Sequence, residues 1–163
     1  MSKLIATVLG IGYVSLAPGT LASLATLPLA ILVYAVGGFV GYALLTAAVL
    51  VAGFASVAEA SRSAGVADPA EIVIDEVAGQ LISLFPLPLG LWLHGSNVLI
   101  LPWPGVLAAF VLFRAFDILK PWPISHVDGL QSPAAIMLDD IAAGILAALL
   151  VAILGAVAHG LTR

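Results

Sequence analysis

Cysteine is missing altogether from this chain of 163 residues, and charge is scarce: five Lys and Arg and nine Asp and Glu make up 9% of it. The first absence removes thiol nucleophiles, disulfides and thiolate metal sites together, and it leaves the redox compartment undetermined. The second, with a net charge of −4, argues against nucleic acid as a partner. What fills the chain is hydrocarbon: 63% of the residues are hydrophobic and the mean hydropathy is +1.22. Ordinary globular domains are roughly 45–50% apolar and about 25% charged. The sequence therefore reads as an integral membrane protein. Its length suits a single domain over residues 1–163.

Apolar stretches run over Leu21–Ala35, Phe39–Val57, Val77–Leu93, Val98–Leu119 and Ile141–Ala158. A spanning helix needs about 17–25 mostly apolar residues. The expected fold is thus an all-α, polytopic helical bundle with about five spanning segments. Leu4–Leu16 is too short to span and is interrupted by Gly10 and Gly12, so it reads as a short interfacial or half-inserted helix. Lys3 before Leu4–Leu9 resembles a signal peptide only weakly, and no cleavage is expected. Five alternating crossings, with a tight turn at Val36-Gly37-Gly38, bring every acid to one face with Lys3, Arg62, Arg114 and Lys120. Only Arg163 among the Lys and Arg residues falls opposite. The positive-inside rule makes the acidic face cytoplasmic.

Against this apolar background one phrase occurs twice. Ile72-Val73-Ile74-Asp75-Glu76-Val77-Ala78-Gly79 aligns with Ile136-Met137-Leu138-Asp139-Asp140-Ile141-Ala142-Ala143 at an offset of 64. Carboxylates beside hydrocarbon cost free energy unless a cation or hydrogen-bond donors compensate them. Four of them in two matched places suggest a metal site formed by Asp75, Glu76, Asp139 and Asp140. Both pairs open a segment leaving the same face, so the copies run parallel and can meet about a common axis. Adjacent helical residues point about 100° apart. One acid of each pair can therefore face a shared cleft while its neighbour orients it or binds a second ion, and the spacing leaves open which does which.

Three further segments carry candidate chemistry. In Ala17-Pro18-Gly19-Thr20, Thr20 is a plausible helix N-cap and Gly19 could let backbone amides face an anion; a plain turn accounts for it equally well. Phe113-Arg114-Ala115-Phe116-Asp117-Ile118-Leu119-Lys120-Pro121-Trp122-Pro123 places Arg114 and Asp117 three apart on one helix face, with Lys120 a turn later. Arg114 and Lys120 suit phosphate oxygens, and Asp117 a metal or the orientation of a base; an Arg-Asp pair inside an apolar helix can also just neutralise itself. Pro121 and Pro123 should end the helix and hold the next segment extended. Asp68 and Glu71 around Pro69 read as loop or capping residues, Asp128-Gly129 as a turn, and Trp103 and Trp122 as interfacial anchors. His94 and His159 fall on the far face, and His126 reads as a solvated loop residue.

On the expected cytoplasmic face nine acids meet four basic residues, a surplus that repels phosphate and attracts divalent cations. Magnesium suits such a site, because it takes oxygen ligands, keeps several waters and is completed by substrate phosphate. The residues alone thus converge on metal-assisted phosphate chemistry.

Ala17-Pro18-Gly19-Thr20 followed by Ser23-Leu24, Ile72 to Gly79, Phe113-Arg114 through Pro123-Ile124, and Ile136 to Gly144 together resemble the phosphatidylglycerophosphatase A family, over roughly positions 10 to 150. The sequence departs from that pattern at Ala22, where the family often has glycine, and at Gln131-Ser132-Pro133-Ala134-Ala135, which replaces a glycine-rich lead. The resemblance implies a bacterial inner-membrane, multi-pass hydrolase with its active site facing the cytoplasm. Its lipid substrate would be phosphatidylglycerophosphate, cleaved to phosphatidylglycerol and phosphate with magnesium. It carries functional roles over to Asp75, Glu76, Arg114, Asp117, Lys120, Asp139 and Asp140, and less firmly to Thr20, Glu71 and Asp128.

On this reading Asp75, Asp117, Asp139, Arg114 and Lys120 are catalytic, and Asp75, Glu76, Asp139 and Asp140 hold metal. Arg114, Lys120, Thr20 and Gly19 bind the substrate phosphate. The nucleophile is water or one of the Asp carboxylates. A transporter or channel using the paired acids as a cation path is the alternative. A phosphotransferase is a further one, although its pattern of paired Asp residues around Gly is not found.

Overall fold

The computed structural model describes residues 2–65, 69–96, 98–130 and 132–161. Asp68, Asn97, Gln131 and Arg163, to which the sequence assigned loop or far-face positions, lie outside them. Regular structure among the described residues is helical: α1 (Ser2–Ala6), a 3-10 turn (Ile11–Tyr13), α2 (Pro18–Ala64), α3 (Ile74–Leu84), α4 (Pro86–Leu93), α5 (Trp103–Leu119), α6 (Ile124–Asp128) and α7 (Pro133–Leu161). Among the described residues, three helical stretches are long and apolar enough to cross a membrane: Pro18–Ser63, Ile74–Leu93 and Pro133–His159. Large apolar side chains such as Leu32, Val36, Leu44, Val51, Leu149 and Ile153 are exposed along them, as a hydrocarbon surrounding demands.

If straight, the 47 residues of α2 would extend about 70 Å, more than twice the ~30 Å hydrocarbon core of a bilayer. They are not straight. Gly38 takes φ 58°, ψ −154°, a conformation that is essentially glycine's alone, and breaks the helix into two arms. A Cβ on Gly41 would lie 3.5 Å from the Val33 carbonyl oxygen. Residues eight apart on one straight helix are separated by about 12 Å of rise, so the chain doubles back at the turn expected from Gly37-Gly38.

The hairpin tip gathers one end of the molecule. Phe39 stacks on Trp92 with ring centroids 5.0 Å apart, and Tyr34 donates its hydroxyl hydrogen to the Val98 carbonyl at 3.1 Å. His94 and His159, at the ends of α4 and α7, lie ring to ring at 6.3 Å. The other end collects the start of α2, the start of α3, the end of α5, α6 and the first turns of α7. Between the ends, α3 packs most extensively on α7. This is a backbone-to-backbone contact. A Cβ on Gly144 would come within 2.5 Å of the Gly79 carbonyl oxygen, and one on Gly79 within 2.7 Å of the Asp140 carbonyl oxygen. Asp75 and Glu76 meet Asp140 at one end of this contact and His94 meets His159 at the other, so the repeated segments lie parallel, as expected from the sequence.

Four local expectations are corrected. The segment Leu4–Leu16 is not one continuous helix: it holds the last three residues of α1 and a 3-10 turn, because Val8, Leu9 and Gly10 adopt positive φ. It is tied down instead by a hydrogen bond from the Val73 amide to the Ala6 carbonyl at 2.9 Å. Thr20 is not an N-cap: α2 begins two residues earlier at Pro18, whose missing N–H is harmless in a first turn, and Ala17 is the capping residue. The segment after Pro121 and Pro123 is not extended but turns at once into α6. The second acidic pair does not open its helix. Pro133 starts α7, while Ser132 accepts the Ala135 amide hydrogen at 3.2 Å as an N-cap does, so Asp139 and Asp140 sit almost two turns inside.

Candidate active site

The parallel contact of α3 and α7 sets the geometry. Asp75 and Glu76 occupy the first turn of α3, and Asp140 faces them from α7. One carboxylate oxygen from each of the three lies within 4.8 Å of the others. Asp140 is buried, while Asp75 and Glu76 are half-buried. Asp75 Oδ1, Glu76 Oε2 and Asp140 Oδ2 are buried atoms without a hydrogen-bond partner. Holding three converging carboxylates this way costs several kcal/mol per ion unless something positive joins them. A hard divalent cation satisfies such an oxygen set, so the residues fit the metal that the sequence implied.

The fourth member of the repeat behaves differently. Asp139 Oδ2 accepts a hydrogen bond from Lys120 Nζ at 2.8 Å, and its Oδ1 is buried without a partner. Adjacent positions on α7 thus split their acids between the carboxylate cluster and the lysine, while both acids of α3 join the cluster. Lys120 also pairs with Asp128 at the end of α6. It can do so because it is the left-handed C-cap of α5, with φ 41°, which turns its side chain back over the loop. Burial works against the Lys120 charge, but its hydrogen bonds to Asp128 and Asp139 and their negative charge outweigh that and raise its pKa above the ordinary value.

Arg114 Nη1 lies 2.6 Å from Asp117 Oδ2, both nearly buried on α5. The pair is in contact yet poorly aligned, leaving Nη1 and Nε without a hydrogen-bond partner. At the start of α2, Gly19 presses on Glu76: a Cβ there would fall 1.9 Å from Oε1. Gly19 is needed for this close approach, not for an unusual backbone conformation. The first turn of a helix is a favourable neighbour for a carboxylate.

These groups border a cavity of about 690 Å³ lined by Asp75, Glu76, Asp117, Lys120, Asp128, Asp139 and Asp140, with Pro69, Ala70, Ile72 and residues before and within the first turn of α7. Arg114 stands behind Asp117 and is not part of the lining, and neither Gly19 nor Thr20 lines it. The structure therefore unites most of the residues expected from the sequence and sets Thr20 and Arg114 back from the open space. In the sequence Asp128 reads first as a turn residue, with a functional role only through the family resemblance, and its contact with Lys120 is not expected. The available signal was an acid eight residues beyond a lysine, across a Pro-Trp-Pro turn that must fold back.

Among the described residues of the lining, six carboxylates face one lysine. Together the apolar helices and this cavity define the class: a membrane-associated α-helical protein with an acidic, cation-seeking site. The family model for phosphatidylglycerophosphatase A matches residues 4–155. Phosphatidylglycerophosphatase A of Haemophilus influenzae is 36% identical over 91% of this chain and 85% of its own length. The Escherichia coli protein of that name is 34% identical over 89% and 78%. A Bacteroides thetaiotaomicron protein provisionally named as a phosphatidylinositol-3-phosphatase is 33% identical over 92% and 91%. No solved structure matches. The chain belongs to the phosphatidylglycerophosphatase A family, and it is a phosphatase.

Proposed function

We propose that the protein hydrolyses the terminal phosphomonoester of phosphatidylglycerophosphate to phosphatidylglycerol and phosphate, with magnesium, at the cytoplasmic surface of a bacterial inner membrane. The observation that carries this reading is the cavity itself, in which, among the described residues, six carboxylates face one lysine. A phosphate dianion enters such a space only when a cation reverses the local field. Asp75, Glu76 and Asp140 would hold that ion. When bound, it supplies positive charge for the phosphoryl oxygens and lowers the pKa of water.

The remaining roles belong to the chain. Lys120 is the cationic side chain within the cavity and takes the phosphoryl oxygens. Asp139 anchors Lys120 from the buried side. Asp117, steadied through Oδ2 by Arg114, is the carboxylate available to position the attacking water and take its proton. Breaking the P–O ester bond leaves an alkoxide on the glycerol headgroup, which takes the proton that Asp117 removed from water, so that Asp117 is regenerated as inorganic phosphate departs. Gly19 makes room for the Glu76 carboxylate instead of binding phosphate itself.

Five crossings fit this arrangement: two arms of α2, the α3–α4 run, α5 and α7. At 17 residues, or about 25 Å, α5 is the shortest and returns the chain to the acidic end. The acids lie at one end of the helices beside loop residues, and no observation favours a cation path through the bundle.

Purified protein in mixed micelles, given phosphatidylglycerophosphate or phosphatidylinositol 3-phosphate with magnesium, tests the substrate. Phosphate release and phosphatidylglycerol formation are expected from the first lipid in clear preference to the second. Equal rates, or release from the inositol lipid alone, would overturn the assignment.

A further inference from the structure

Among the described residues Lys120 is the cation lining the cavity, yet its ammonium is already committed to two carboxylates. The two are not equivalent. The Asp139 side chain is 10% exposed and fixed within the long helix α7, whereas that of Asp128 is 48% exposed at the end of the five-residue helix α6, followed by Gly129. Both acids line the same cavity, and Lys120 is itself 32% exposed toward it. An ammonium has three donors. Two are taken, so a phosphomonoester that accepts more than the remaining one competes with Asp128, the more exposed of the two carboxylates.

We propose that Asp128 is a built-in stand-in for the substrate phosphate: its carboxylate occupies the solvent side of Lys120 and is displaced when a phosphomonoester binds. The inference rests on the reading of this cavity as a phosphomonoester site. The exchange breaks one ion pair and forms another, with no covalent step. In the ligand-free state Asp128 keeps Lys120 compensated and pointed into the cavity, among acids that would otherwise compete for it. When phosphate leaves, Asp128 returns to the ammonium and opposes rebinding of the product. Asp139 stays on Lys120 in both states. Asp128 is thus a positioning residue that trades affinity for release, and its loss should appear in binding before chemistry.

The test is titration of inorganic phosphate into full-length protein in detergent with magnesium, followed by phosphorus NMR or calorimetry, beside KM and kcat for phosphatidylglycerophosphate. Asp128→Asn should tighten phosphate binding and lower KM about two- to fivefold, the range an exposed ion pair commands. Asp128→Glu should restore the wild-type constants. In a Lys120→Ala background the Asp128→Asn change should have no further effect, because the rivalry needs the lysine. Unchanged or weaker phosphate binding in a folded Asp128→Asn protein overturns the proposal. So does equal tightening without Lys120, which would mean only that a negative charge had been removed from an acidic cavity. Because inorganic phosphate is the probe, the expected tightening supports the proposal even if the lipid substrate proves to be another phosphomonoester.

Discussion

Lys120 concentrates the electrostatics of the site in one side chain. Its folded pKa is raised above the ordinary 10.5, so the stabilisation from Asp128 and Asp139 is complete below that pH and disappears as pH climbs through the higher folded value. Thermal unfolding in detergent should show Lys120→Met melting below wild type by a near-constant margin from pH 7 to 9. The margin should narrow only above pH 10.5. A gap that closes toward neutral pH would contradict the ion-pair account. Most of this chemistry was legible in the sequence, because acids are conspicuous where charge is rare. Asp75, Glu76 and Asp140 converge as their repeat suggests. The division of labour between Asp139 and Asp140 was not legible, since a linear repeat gives spacing but not helix rotation. For Arg114 the sequence allows either a phosphate contact or a neutralising pair with Asp117; the ion pair is formed, and Arg114 does not line the cavity.

The α3–α7 contact decides how close the two acidic doublets come. Gly79 and Gly144 let the helices meet backbone to backbone, so bulk at either should push the carboxylate trio apart. Gly144→Leu is expected to destabilise the fold by about 1–3 kcal/mol through overpacking. It should cost activity disproportionately, because its Cβ would collide with the Gly79 carbonyl at 2.5 Å rather than with a flexible side chain. Unfolding temperature and phosphate release measured on the same preparation check both parts, and full activity would show that the helix spacing does not govern the site. The helices themselves followed from apolar run length and from Gly and Pro placement. Their starts were harder to read. Pro18 and Pro133 begin α2 and α7 earlier than the apolar runs suggest, because a first helical turn tolerates proline and polar residues that hydropathy counts as breaks.

The molecule has two ends of different chemistry, acids at one and the Phe39–Trp92 and His94–His159 contacts at the other. The five-crossing proposal expects opposite aqueous sides for them. The absence of cysteine makes this simple to examine: Ser125→Cys and His94→Cys variants carry one thiol each. A membrane-impermeant maleimide should label the first only in inverted vesicles and the second only in spheroplasts. Labelling of both from one side would remove the topology. The measurement that goes most directly to the centre of the account needs neither substrate nor membrane. Manganese, added to purified protein as a magnesium surrogate, is followed by the loss of its free-ion paramagnetic resonance signal, with magnesium as competitor. Wild type should bind manganese saturably and release it to magnesium. Asp75→Asn and Asp140→Asn should weaken binding at least 10- to 100-fold, the loss typical even of groups that only support a ligand, while Asp139→Asn keeps most of it. Equal uptake by wild type and all three variants would show that the converging carboxylates of α3 and α7 do not hold the ion.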